Sequence, residues 1–216
     1  MQTSCLPAPS PHRFVHPSVE SKAKRLVDIL GALVGLVITA AIAIPIAIAI
    51  QLDNPGPIFF SQMRCGLNGR EFRMWKFRSM VVGADKLKHQ VENQAKGLIF
   101  KNEDDPRQTR VGRLLRRTSL DELPQFWNVL KGDMSLVGTR PPTPDEVSRY
   151  EQHHRQRLSV KPGLTGVWQT SGRSAIKDFE EIVTMDLLYQ QKWSIGYDLY
   201  LIFKTVGAVL ASKGAC

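Results

Sequence analysis

Cysteine is scarce in this chain. The three that occur, at positions 5, 65 and 216, are far apart and form no CxxC pair, which excludes a disulfide framework and a cysteine zinc site and fits a reducing compartment. Several catalytic templates are missing as well: there is no GxxxxGK phosphate loop, no HExxH, no GxSxG, and no GxGxxG between a strand and a helix. Acid is in deficit, with 20 Asp plus Glu against 29 Lys plus Arg and a net charge of +9. The surplus is concentrated, since residues 61–140 hold 16 basic and 9 acidic residues. The middle of the chain therefore faces something anionic. A length of 216 residues with 43% hydrophobic content reads as one folded domain with a sizeable core, not as a disordered or multi-domain chain.

What is present in quantity is one long apolar run. Ile29 to Ile50 passes without a charge, and a helix of that length reaches roughly across a hydrocarbon core at about 1.5 Å per residue. A cleaved signal peptide is a poor alternative, because its apolar region is about 7 to 15 residues and starts near the chain's beginning. Pro45 lies inside the run, where it bends or breaks a helix. Both flanks are basic, Lys22, Lys24 and Arg25 before and Arg64, Arg70, Arg73, Lys76 and Arg78 after. The cytoplasmic bias of Lys and Arg thus applies to both ends. A helix that enters, bends at Pro45 and returns satisfies it; an ordinary single-pass anchor is the competing reading, since proline is tolerated in spanning helices.

Residues 1–21, rich in Pro, Ser and His, read as a mobile tail. After Gln51 to Pro57, two aromatic-rich runs separated by Gly66, Leu67, Asn68 and Gly69 signal a hairpin. Residues 83–97 look helical, Asn102 to Pro106 a solvated acidic turn, and Val111 to Leu130 two helices. Gly163, Gly166 and Gly172 punctuate a loop. His153 and His154, adjacent in a charged stretch, read as a solvated helix face. Trp75, Phe77, Trp168 and Tyr189 offer aromatic surface for a base, although most such residues are core. The chain closes on a helix with Leu199, Ile202, Phe203, Val206, Val209 and Leu210 on one face, suited either to the core or to a membrane interface.

The densest signal is RVGRLLRRTSLDELPQFWNVLKGDMSLVGTRPP, residues 110–142. Asp121 and Glu122 fall in the first turn of a helix whose apolar face is Leu120, Leu123, Phe126, Trp127 and Leu130, and Ser119 to Glu122 spells a capping box. Acids at a helix start usually serve its dipole. Here, however, Arg113, Arg116 and Arg117 precede them and Arg140 follows beside Pro141 and Pro142. Surplus cations around two carboxylates point to a third anion, and a phosphate or diphosphate matches guanidinium geometry. One carboxylate is then placed to act as nucleophile while its neighbour holds Mg²⁺.

The order KRLVDILGALVGL, an apolar run with proline, NPGPIFFSQMRCG, KFRSM, RRTSLDELPQFWNVLKGDMSLVGTRP, KPGLTGVWQTSGRS and WSIGYDLYLIFKT resembles the bacterial sugar transferases, the monotopic phosphoglycosyl transferases, over residues 21–212. The resemblance implies an α+β fold: a re-entrant membrane helix over residues 22–52, kinked at Pro45, and a small cytoplasmic catalytic domain over 53–216 with helices, a short β-hairpin and interfacial helices. It implies transfer of a sugar-1-phosphate from a UDP-sugar to a polyprenol phosphate such as undecaprenyl phosphate, releasing UMP, at the cytoplasmic face of the bacterial inner membrane. Carried over, Asp121 is the covalent nucleophile and Glu122 its partner at Mg²⁺. Lys76, Arg78, Arg116, Arg117, Arg140 and Pro141 become the phosphate and nucleotide contacts. Membrane lipids are the further partners implied, nucleic acid is not, and a homodimer is left open. The chain departs from the family in having Ile44 before Pro45 where a serine is usual, and Thr139 where Pro-Arg-Pro is frequent. Two other readings remain: Asp121 as general base without a covalent stage, and a non-catalytic basic membrane protein holding anionic lipid or nucleic acid.

Overall fold

The computed structural model describes residues 15–172 and 176–210. A short helix α1 (Pro17–Glu20) leads into the long α2 (Lys22–Asp53). Strands β1 (Phe59–Cys65) and β2 (Glu71–Phe77) form the expected hairpin, and α3 (Arg110–Arg117) and α4 (Gln125–Lys131) follow it. Next come β3 (Ser135–Val137), α5 (Pro144–Ser148), α6 (Gln152–Arg155), β4 (Gly163–Thr165) and α7 (Val167–Thr170). Helices α8 (Phe179–Lys192) and α9 (Ile195–Leu210) complete the described fold. It is α+β, mostly helical with two small sheets.

Helix α2 continues through Pro45 and carries one buried stripe: Lys24, Asp28, Ala32, Gly35, Ile46 and Ile50. That helical spacing lays α2 along the rest of the protein over its whole length. Near its start, Lys24 donates to the Val137 carbonyl at 3.0 Å and pairs with Asp198 at 2.6 Å, while Arg25 donates to the last carbonyls of α4, Val129 at 2.8 Å and Leu130 at 2.6 Å. Further on, Gly35 lies so close to the Phe126 ring that a Cβ there would stand 2.4 Å from it. At its end, Asp53 accepts from the Val111 amide at 2.9 Å. Two of the basic residues that flank the apolar run are thus turned into the domain. The opposite face, including Leu30, Val34, Val37, Ile44, Ile48 and Leu52, is uncovered.

The hairpin pairs Phe60 with Lys76, Gln62 with Met74 and Arg64 with Phe72. Its turn needs backbone at positive φ, supplied by Asn68 (56°) and Gly69 (79°). The segment expected as a glycine-punctuated loop instead contributes β4, which pairs in parallel with β3. Gly138 and Gly163 permit this, since a Cβ on Gly163 would lie 2.1 Å from the Gly138 nitrogen. Three apolar clusters form the core. One joins α2, α4, β3, α8 and α9 around Val129, Met134 and Tyr189; a second gathers Val147, Leu158, Phe179 and Ile182; a third sets Ile46 and Ile50 of α2 against Phe77 and Leu115.

Other expectations are corrected locally. Residues 15–21 are not a mobile tail: Ser18 is buried and His16 contacts the Gln190 carbonyl at 3.0 Å; residues 1–14 of that expectation lie outside the described residues. The helix expected over 83–97 is shorter, a 3₁₀ helix over Ala84–Gln90, begun by Gly83 at φ 78° and followed by irregular chain. The acidic turn is not wholly solvated, because Asp105 is buried against Arg107 at 2.6 Å. His154 is buried too, accepting from the Glu151 amide at 3.0 Å and meeting Glu180 at 2.7 Å. Phe77 and Tyr189 belong to the core.

Candidate active site

The acidic pair does not open a long helix. Asp121 and Glu122 occupy a separate tight turn, Leu120–Glu122, and α4 begins only at Gln125. Ser119 makes no side-chain cap; its backbone lies at φ 57°, a left-handed conformation uncommon outside glycine. The expected capping box is therefore absent. The physical reason is Pro124, which interrupts amide donation between the turn and α4. The result is a sharp bend that buries Asp121 and leaves Glu122 half-buried, with its Oε1 accepting from Lys76 Nζ at 2.8 Å.

This bend faces a cavity of about 450 Å³ whose lining includes Lys76, Arg78, Arg116, Arg140 and Pro141 together with Asp121 and Glu122. Residues from Lys76 to Pro141 in the sequence are thus brought to one cavity. Arg117 is the exception: it is exposed and does not line the cavity. Successive residues of α3 point about 100° apart, so Arg116 and Arg117 cannot face the same wall.

The hairpin orders the cations. Directly paired residues share one sheet face, as do residues two apart, so Arg64, Gln62 and Lys76 share one face of the hairpin, and Arg78, just past the end of β2, lines the cavity with them. Arg64, which carried only a topological argument in the sequence, donates to the Pro141 carbonyl at 2.9 Å and to Gln62 at 2.7 Å, while its Nε is buried without a partner among the described residues. Burial, with Arg140 close by, lowers its pKa to about 10. Arg78 is 6% exposed and donates to the Asn54 carbonyl. Its Nε and Nη1 are buried with no partner among the described residues, and burial holds its pKa below the ordinary arginine value.

Arg140 is built in rather than loose. Its guanidinium donates to both oxygens of Glu146, at 2.8 and 3.2 Å. Burial opposes its charge, but the Glu146 carboxylate overcomes this and raises its pKa; the same pairing, against burial, depresses that of Glu146. The loop around it is held by a second pair. Asp186 accepts from Arg157 Nε at 2.8 Å and from the Arg140 amide at 3.4 Å, and Thr139 donates to the Arg157 carbonyl at 3.1 Å. Neither Glu146 nor the Arg157–Asp186 pair was legible beforehand, because no motif spacing links them to Arg140. Trp168, suggested as an aromatic surface, does line the cavity, as do Gln125 and Gln169.

Paired carboxylates within a ring of cations form a cleft suited to a phosphate-bearing substrate, beside a helix whose long uncovered apolar face is consistent with membrane association. The chain belongs to the bacterial sugar transferases, whose family model matches residues 19–212. It is 55% identical over 195 residues to a galactosyl transferase, CpsE, of Streptococcus agalactiae, covering 89% of this chain and 43% of that protein. It is 40% identical over 199 residues to the Escherichia coli UDP-glucose:undecaprenyl-phosphate glucose-1-phosphate transferase, covering 89% and 41%. It is 38% identical over 199 residues to the exopolysaccharide production protein ExoY of Sinorhizobium fredii, covering 89% and 88%. The chain thus spans about two-fifths of the length of some curated relatives and most of others.

Proposed function

We propose that this chain transfers a sugar-1-phosphate from a UDP-sugar to a polyprenol phosphate at the cytoplasmic face of the inner membrane, with α2 embedded as a re-entrant helix. The observation that carries this reading is the bend that turns Asp121 and Glu122 into a cavity walled by Lys76, Arg78, Arg116 and Arg140. The names of relatives such as the undecaprenyl-phosphate glucose-1-phosphate transferase support the substrate classes. In the proposed first step an Asp121 oxygen attacks the sugar-bearing phosphorus, and the bond to the UMP oxygen breaks. In the second, a phosphate oxygen of the polyprenol phosphate attacks the same phosphorus, and Asp121 leaves as carboxylate. The surrounding cations stabilise the charge on the transferring group, which is where phosphoryl transfer gains most. The two carboxylates supply an oxygen-only donor set that fits Mg²⁺, which would neutralise diphosphate charge; Glu122 would hold it while keeping its Lys76 contact.

The test is isotope exchange of UMP into UDP-sugar without acceptor, with mass analysis of acid-quenched protein. Wild type should exchange, require Mg²⁺, and carry one phosphosugar on a peptide containing Asp121, while Asp121→Asn should lose about a thousandfold or more of its turnover. Full turnover with neither exchange nor adduct would make Asp121 a general base.

A further inference from the structure

We propose that Gln125 binds the sugar of the nucleotide-sugar donor, its side-chain amide exchanging hydrogen bonds with one ring hydroxyl. This rests on the transfer reaction proposed above and concerns the part of the substrate that the cations leave without a partner. Gln125 opens α4, four residues after Asp121. Leu123 (φ −56°, ψ −36°) and Pro124 (φ −60°, ψ −17°) between them are both right-handed helical, so the chain makes about one turn from the acid to the amide and brings the two side chains to the same side. Three residues further on, Asn128 accepts from the Trp75 amide at 3.2 Å and donates to the Arg73 carbonyl at 2.8 Å. That pins α4 to β2 and fixes where Gln125 stands.

Two observations point to this ligand. First, Gln125 is 3% exposed and lines the cavity, yet its amide makes no hydrogen bond among the described residues. Its oxygen and nitrogen are not sealed in the interior as the Nε atoms of Arg64 and Arg78 are; they keep an opening to the cavity. An amide desolvated without partners is destabilising, and a ligand that supplies them recovers the loss. Second, the chemistry around it divides. Phosphate oxygens only accept, and Lys76, Arg78, Arg116 and Arg140 meet them with donors. A carboxamide holds an acceptor and two donors side by side, which a hydroxyl, able to give and to take, matches. In a UDP-sugar the hydroxyl-bearing ring hangs from the phosphorus that Asp121 attacks, within reach of a side chain one helical turn, about 5.4 Å, from the nucleophile.

The measurement is UMP exchange by the full chain in nanodiscs, on a UDP-sugar that wild type binds and on its monodeoxy analogues, with UMP and UDP-sugar affinities recorded by calorimetry. Gln125→Met, which keeps the length but neither donor nor acceptor, should lower exchange and UDP-sugar affinity about tenfold and leave UMP affinity within about twofold. Retained UMP binding also shows that the variant folded. In wild type one monodeoxy analogue should lose about the same factor, and on that analogue Gln125→Met should cost no more than about twofold, because the partner hydroxyl is already gone. Should Gln125→Met be unstable, Gln125→Glu, of the same shape without the donors, carries the same comparison. Wild-type UDP-sugar affinity in the variant, an equal loss of UMP affinity in a variant of wild-type thermal stability, or losses that add on every analogue would overturn the assignment. If wild type exchanges no UMP, the proposed reaction fails, and the affinities of wild type and Gln125→Met for UDP-sugar and for UMP still decide the role of Gln125.

Discussion

Charged side chains in this protein work in buried pairs, and their energetics follow from what each would lose alone. Glu146 is 6% exposed and neutralises Arg140, so removing its charge leaves a buried guanidinium without a counterion. Glu146→Gln retains the shape and some hydrogen bonding and should cost about 1–3 kcal/mol, read from chemical unfolding in detergent. The sign of its pH dependence is fixed by the depressed folded pKa. Its stabilisation is fully present above the ordinary glutamate value of about 4.3 and is lost as pH falls through the lower folded value. Thermal midpoints measured from pH 7 down to 3 should therefore fall less steeply in Glu146→Gln than in wild type. An identical acid limb in both proteins would show that the pair is not thermodynamically coupled.

At the scale of elements, α2 decides how the protein meets a bilayer. A straight spanning helix needs about 20 residues surrounded by lipid. Here contacts with the rest of the chain run from Lys24 and Asp28 through Gly35 and Thr39 to Ile46, Ile50 and Asp53. These contacts support the proposal that α2 does not cross the bilayer as a lipid-surrounded span, since the domain covers one of its faces. Exposed Glu20 and Asn68 bracket it. Cysteines placed there, Glu20→Cys and Asn68→Cys, should both resist an impermeant thiol reagent added outside intact cells; labelling of Glu20→Cys alone would establish a span. Gly35→Leu should break the close approach to Phe126 and detach the middle of α2, lowering the thermal midpoint, because the added side chain would collide with a ring rather than fill space.

For the molecule as a whole, uncovered apolar surface on α2 is joined by that on α9, where Phe203 is 72% exposed and Val206 51%, while Leu201 on the same helix is buried. The two helices are tied by the Lys24–Asp198 ion pair, so α9 serves the core with one face and is open on another. Exposed apolar side chains on both helices in a basic protein are suited to an anionic bilayer surface. Phe203→Glu with Val206→Glu should reduce co-flotation with vesicles containing anionic lipid several-fold and leave the thermal midpoint unchanged, since neither side chain supports the core. Unaltered flotation would assign membrane contact to α2 alone.

Much of the fold and site was determined locally, and so was legible in order along the chain. The hairpin followed from two aromatic runs around Gly66 to Gly69, the apolar helix from 22 uncharged residues, and the site from two acids set among arginines. Those features depend on neighbours in sequence: turn conformations, apolar run length and charge density. The stripe of α2 that packs inward was not legible, because both faces of that helix are apolar and no period separates them. The turning of Lys24 and Arg25 into the domain, the left-handed Ser119, and the pairs Arg140–Glu146 and Arg157–Asp186 were likewise decided only on folding. A buried charge takes whichever opposite charge the packed core brings within hydrogen-bond reach, and for Arg157 that partner stands 29 residues away.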